Sequence, residues 1–115
     1  RLASYLADAS SCKNLILKLG ERGVFCSTHS DNPKTSYFSM ESFVNQVVDA
    51  VGAGDALLAY STLSYLKTKS LLVASILGSI AAACECEHDG NIPISPSDII
   101  KKINLIEQKI KFKIK

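Results

Sequence analysis

The sequence predicts an α/β fold, and three observations carry that expectation. An apolar run, Leu15-Ile16-Leu17, lies between polar residues at strand length. The stretch Gln46 to Leu58, QVVDAVGAGDALL, passes from β-branched residues through two glycines and an aspartate into a helical pattern. Two further segments, Leu71 to about Glu87 and about Pro96 to Gln108, have helical length and start signals. Strands that alternate with helices belong to layered α/β architectures.

Taken in order, Leu2, Leu6 and Ala9 recur at helical spacing, and Ser10-Ser11 end the pattern before a strand over Asn14 to Leu19. Because RLASYLADAS reads as a helix already under way, the chain is expected to start within a longer protein. Gly20-Glu21-Arg22-Gly23 is a tight turn into a second strand, Val24 to Ser27, which should pair with the first as a hairpin. Thr28 to Lys34 is a polar loop with Asn-Pro as its turn signal, and His29 within it is expected to be solvated. Thr35 to Met40 and Phe43 to Val48 read as short strands around a break at Glu41-Ser42.

From Ala53 a helix should run to about Lys69, with Leu57, Leu58, Leu63 and Leu66 on an apolar face and Lys67 and Lys69 in its last turn. Ser70 should cap the next helix, whose Gly78, Ser79, Ala81, Ala82 and Ala83 permit close approach of a neighbour. Asp89-Gly90-Asn91 turns the chain, Ile92 to Pro96 crosses over, and Ser95 or Ser97 caps a last helix with Ile99, Ile100, Ile103 and Ile106 inward. The terminal KIKFKIK, Lys109 to Lys115, alternates with period two and reads as an edge strand or a frayed, basic tail.

The chemistry concentrates at the glycine turn. Gly52, Ala53 and Gly54 let a ligand approach the backbone, and the helix that starts there points unpaired N–H groups and a positive dipole end at the turn, an arrangement that binds anions. Asp55, in the first helical turn, could take a proton from a hydroxyl attacking a phosphate held over those amides, although an isolated aspartate there is ordinarily just a helix-start carboxylate. Lys18 could reach the same phosphate or remain a solvated surface lysine.

Asp49 to Asp55, DAVGAGD, resembles the signature of the ribokinase-like (PfkB) carbohydrate kinases, as do LKLGERGVF at Leu17 to Phe25 and IAAACECEHDGNIPISP at Ile80 to Pro96. The resemblance implies that residues 1–115 are the nucleotide-binding and catalytic C-terminal part of one kinase domain with a three-layer α/β/α fold. That part is roughly the last third of a chain two to three times as long, inactive by itself. It implies ATP-dependent transfer to a sugar or sugar-phosphate hydroxyl, with Asp55 as base and Gly52, Ala53 and Gly54 as the anion hole. Lys18, Gly20, Glu21 and Gly23 would lie against the nucleotide phosphates, and Ser79 and Ala83 would border the adenine. Hairpin geometry is the plain alternative for Gly20 and Gly23, and helix packing for Ser79 and Ala83.

The same resemblance implies a monovalent cation, K+, held by Asp49 and by backbone carbonyls of Val51, Glu85, His88 and Gly90. Ala50, where Thr is frequent, and Glu85, where an apolar or small residue is usual, depart from the pattern. Mg2+ should arrive with ATP, because no carboxylate cluster is present to hold it independently. KLGERG and VGAGDALLA are similar to the heptose-phosphate kinase subgroup.

Net charge of +2 with interleaved signs argues against nucleic acid as a partner. The uncharged run Ser70 to Cys84 is too short to cross a bilayer. Four cysteines without a signal-peptide pattern fit reduced thiols in a cytoplasm, and Cys84, Cys86 and His88 cannot share one helix face as a metal site. Expected partners are therefore ATP and a sugar or sugar phosphate, with a homodimer as a further option and neither nucleic acid nor membrane. A dinucleotide site fails because Leu57 occupies the third glycine of its fingerprint. A non-catalytic nucleotide-binding or assembly module is the remaining rival.

Overall fold

The computed structural model describes residues 2–29, 36–89 and 93–114, with side chains through Lys111. Among them the elements run α1 (Leu2–Ser10), β1 (Asn14–Lys18), a 3₁₀ turn (Gly20–Arg22), β2 (Val24–Thr28), β3 (Ser36–Met40), α2 (Ala53–Thr68), α3 (Leu71–Cys86) and α4 (Pro96–Ile114). The expected α/β class is what forms. The three strands make one antiparallel sheet in the order β1-β2-β3.

Register explains which strand residues face the helices. Ile16, Cys26 and Phe38 are mutual partners across the sheet. That row packs with Val24, Leu57, Leu71 and Ala82 into one cluster between the sheet and the α2-α3 pair. On the opposite face Phe25 and Tyr37 stack at 5.9 Å. A second cluster, Ile80, Ala81, Cys84 and Ile99 with Tyr60, Ile103 and Ile106 against it, joins α3 to α4. The α3 helix is therefore shared by both cores, which is why so much of its surface is buried.

The α2-α3 contact is made by small residues. A Cβ on Gly78 would come within 2.9 Å of Ser61 Cβ and 3.0 Å of the Leu57 carbonyl oxygen, so the two helices meet backbone to backbone. Ser61 and Ser75 are buried there and spend their hydroxyls on carbonyls three residues back, Leu58 O at 3.2 Å and Leu72 O at 2.9 Å. This corrects the expected leucine face of α2. Leu57 is buried, but Leu58, Leu63 and Leu66 are 61 to 65% exposed, because the inward stripe is chosen by close fit and not by residue size.

Caps set the helix starts. Ser70 Oγ accepts from Val73 N–H at 3.2 Å, as its sequence position predicts. Ser95 and Asp98 form a reciprocal capping box for α4: Asp98 N–H donates to Ser95 Oγ at 3.3 Å, and Ser95 N–H donates to Asp98 Oδ2 at 2.9 Å.

Four other expectations are overturned. Phe43 to Val48 forms no strand: the amides of Val48 and Asp49 both donate to the Cys86 carbonyl, at 2.8 and 3.0 Å, capping α3 and not extending the sheet. Residues 109–114 continue α4 as helix, because the lysines supply helix propensity and no strand lies beside them among the described residues. Ile100 is exposed, its inward place taken by Lys102, which is buried in an ion pair with Glu87. His29 is half-buried, with Nε2 2.8 Å from Ser27 Oγ. The turn at Gly90-Asn91 and most of the Thr28 to Lys34 loop fall outside the described residues. No helix among those described is long and apolar enough to cross a membrane.

Candidate functional site

The end of β1, the 3₁₀ turn, the start of α2 and the last turns of α3 converge on one cavity of about 540 Å³. Each wall has a local cause. Leu19 N–H donates to Gly23 O at 2.8 Å and Gly23 N–H donates to Gly20 O at 3.1 Å, closing the β1-β2 turn. Gly20 and Gly23 have φ of 61° and 93°, which disfavours any side chain. A Cβ at Gly23 would also overlap the Met40 carbonyl oxygen, whereas one at Gly20 would meet open space. Gly23 is thus fixed by the passage of the chain leaving β3, independently of any ligand.

Gly52 enters α2 at φ 84° and offers no side-chain cap. Ala53 N–H turns back to Ala50 O at 3.2 Å, leaving the following helical amides as the uncapped ones. Lys18 reaches this point from the end of β1. A Cβ on Gly54 would lie 2.5 Å from Lys18 Nζ, so the ammonium rests against the first turn of α2. Among the described residues Lys18 makes no ion pair. A full positive charge and the positive end of a helix dipole thus share one side of the cavity, where an anion would relieve their repulsion.

The opposite walls are apolar and small. Leu57 from α2, and Ser79, Ala82, Ala83 and Cys86 from α3, line one side; Val44, Asn45, Val47 and Ala50 of the segment after β3 line another. Ser79 is among the lining residues and is buried, and its Oγ has no hydrogen-bond partner among the described residues. Burial pushes the Cys86 thiol up, assisted by the carboxylates of Glu87, Glu85 and Asp49, which keeps it protonated and inert near neutrality.

The structure therefore gathers Lys18, Gly20, Glu21, Gly23, Ala53, Gly54, Ser79 and Ala83 around one space. Gly52 stands just outside its lining as the helix cap, and Asp55, in the first turn of α2, is exposed and also outside the lining. Asp49 is brought to the end of α3 by its backbone bond to Cys86, and its Oδ1 accepts from Val51 N–H at 3.0 Å. His88 N–H donates to Glu85 O at 3.3 Å at that same end, while Gly90 lies outside the described residues. Glu85 is 2% exposed with Oε1 unpartnered among the described residues.

Three features escaped the sequence reading. The Val44 to Ala50 wall was hidden by its strand-like composition. The buried Glu85 carboxylate and the Lys102–Glu87 pair, at 2.5 and 2.9 Å, were hidden because charged residues on helices are ordinarily solvated. Periodicity gave one available signal, since Lys102 falls on the Ile99-Ile103-Ile106 face.

The chain resembles solved structures over most of its own length. Ribokinase from Thermotoga maritima superposes with a TM-score of 0.74 at 24% identity, covering 90% of this chain and 34% of that one. A nucleoside kinase from Methanocaldococcus jannaschii, described as an archaeal member of the ribokinase family, gives 0.68 at 22%, covering 90% and 33%. The ligand-free nucleoside kinase from Burkholderia thailandensis gives 0.67 at 22%, covering 88% and 36%. This chain thus spans about a third of the length of each. Comparison with curated proteins gave no significant match. The model of the pfkB family of carbohydrate kinases matches residues 2–98, and with that match the chain belongs to the pfkB family.

Proposed function

We propose that residues 1–115 form the nucleotide-binding and catalytic C-terminal part of an ATP-dependent sugar kinase. The observation that carries this reading is the ammonium of Lys18 set against Gly54 at the uncapped start of α2, inside a cavity of nucleotide size. Polyphosphate would lie over Gly52 to Gly54, with Lys18 and the Gly20-Glu21-Gly23 turn along it. The adenine would be bordered by Ser79 and Ala83.

In the transfer step Asp55 takes the proton of a sugar hydroxyl as that oxygen bonds to the γ-phosphorus and the bond to ADP breaks. Lys18 and the α2 amides hold the charge on the moving group. A positioned base contributes about two to four orders of magnitude in rate, and each anion-hole donor about two to three. Mg2+ would arrive with ATP, bound chiefly through its phosphates. For K+, the meeting of Asp49 with the Glu85 to His88 end of α3 supplies oxygen donors in one place. A heptose phosphate is the acceptor we favour within the sugar class, and a cytoplasmic setting fits the free thiols.

Exposure of Asp55 outside the cavity lining favours one second reading, nucleotide binding without transfer. Calorimetric titration of ATP into the kinase-length polypeptide tests the site itself. Gly54→Val should abolish binding, because the added side chain displaces Lys18 Nζ and covers the amides, while leaving the thermal transition within a few degrees of wild type. Unchanged affinity in that variant would remove the anion hole.

A further inference from the structure

The cavity wall at residues 44–50 has neither helix nor strand to shape it, and α4 reaches it from outside the cavity. Near the start of the wall Lys109 Nζ donates to Asn45 Oδ1 at 2.7 Å. Near its end Val48 and Asp49 donate to the Cys86 carbonyl, and the residue after Cys86, Glu87, is held by the buried Lys102. Phe43, just before the wall, packs on the same core as Ile103 and Ile106 of α4. Lys102 and Lys109 are about two helical turns apart and share one face of α4. A single helix face thus ties down both ends of the wall. Both lysines lie beyond residues 2–98, the part that matches the family model.

We propose that Lys109 is a positioning residue for the cavity, with the Lys102–Glu87 pair as its second anchor: together they clamp the wall on which the nucleoside part of the ligand lies, a role that rests on reading the cavity as a nucleotide site. Val44 and Val47 offer a phosphate no bond, whereas Lys18 and the start of α2 do, so this wall serves base and ribose. Lys109 is exposed and outside the cavity lining, while Asn45 lines it. The lysine therefore acts through Asn45 and not on the ligand. An ammonium has donors only and can meet only the carbonyl oxygen of the asparagine, which fixes the orientation of the carboxamide.

Calorimetric titration of Mg-ATP and, separately, of inorganic tripolyphosphate into the kinase-length polypeptide tests this role. Lys109→Met should weaken ATP by about three- to tenfold, the loss of one charge-assisted bond at the surface, and leave tripolyphosphate within about twofold. Lys109→Arg, which keeps a charged donor, should return ATP affinity to within about twofold of wild type. Since Lys109 is exposed, the thermal midpoint of either variant should stay within about 2 °C of wild type. Lys109→Met combined with Asn45→Ala should bind ATP no more weakly than Asn45→Ala alone, because both remove one tie. Unchanged ATP affinity in Lys109→Met, equal losses for ATP and tripolyphosphate, or additive losses in the double variant would overturn the proposal. Amide hydrogen exchange without ligand separates the clamp from the nucleotide reading: in Lys109→Met the Val48 and Asp49 amides should exchange at least about threefold faster. A wild type that binds no ATP, with those amides still quickened in the variant, would sink the nucleotide reading and leave the clamp standing. Unchanged exchange of both amides would overturn the clamp itself.

Discussion

Replacing Lys102 by Met should show that the end of α3 is held by a buried ion pair. Lys102 Nζ lies 2.5 and 2.9 Å from the two Glu87 oxygens, with the lysine side chain 6% and the glutamate 23% exposed. At an effective dielectric constant of about 20 the gross attraction is roughly 4 to 6 kcal/mol, most of it offset by the desolvation of both ions. Removing only the lysine leaves a carboxylate without its partner, which in a fully buried site costs about 3 to 5 kcal/mol. Because Glu87 keeps some contact with water, the cost falls to the bottom of that range or below it, about 2 to 3 kcal/mol. Lys102→Met/Glu87→Leu, which removes both charges at similar volume, should return to within about 1 kcal/mol of wild type. Urea unfolding of the four proteins of the cycle measures this directly. Since Cys86 O accepts from Val48 and Asp49, the single variant should also speed exchange of those two amides. A Lys102→Met loss under about 0.5 kcal/mol, or a double variant as unstable as the two singles summed, would refute the reasoning.

Gly23→Ala should destabilise by about 2 kcal/mol or more through its φ of 93° and the Met40 carbonyl, read as a lower urea midpoint; an unchanged midpoint would mean that the β1-β2 turn relaxes freely. The backbone amide of Ser95, then its hydroxyl, holds the Asp98 carboxyl below its ordinary value of 3.8. A depressed value means stability that is fully present above the unfolded value and lost as pH falls through the folded one. Asp98→Asn should therefore lower the unfolding midpoint at neutral pH, and its difference from wild type should shrink below pH 3.8. A difference that persists undiminished in acid would assign the cap to hydrogen bonding without charge. Cys26 and Cys84, pushed up by burial, should react with a thiol reagent only as fast as the chain unfolds, and rapid labelling of either in the native state would contradict their placement.

Much of the fold was legible because it depends on local rules. The Leu-Ile-Leu run, the Gly20-Gly23 turn, the Ser70 and Ser95 caps and the glycine entry to α2 each state their conformation within a few residues. What was not legible depends on neighbours. Leu58 and Leu66 look like core until Gly78 and Ser61 are seen to bring α2 and α3 together on another side. Val44, Val47 and Val48 look like a strand until the Cys86 carbonyl takes the amides that a strand would have paired. The basic repeat at the end of the chain has strand periodicity, but an established helix, with no partner strand among the described residues, decides its state. At the candidate site, sequence identified the turn and Lys18, while the distance between them required the fold.

The central claim is that this site transfers a phosphoryl group, and Asp55 is where transfer and binding separate. The decisive measurement compares wild type with Asp55→Asn in the kinase-length polypeptide, assaying ADP formation with Mg-ATP against a panel of sugars and sugar phosphates, heptose phosphates included. Asparagine keeps the shape but cannot take the hydroxyl proton, so turnover should fall by about two orders of magnitude or more with ATP affinity unchanged. Equal turnover in the two proteins would contradict the account, and so would a wild type that binds ATP yet phosphorylates none of the acceptors.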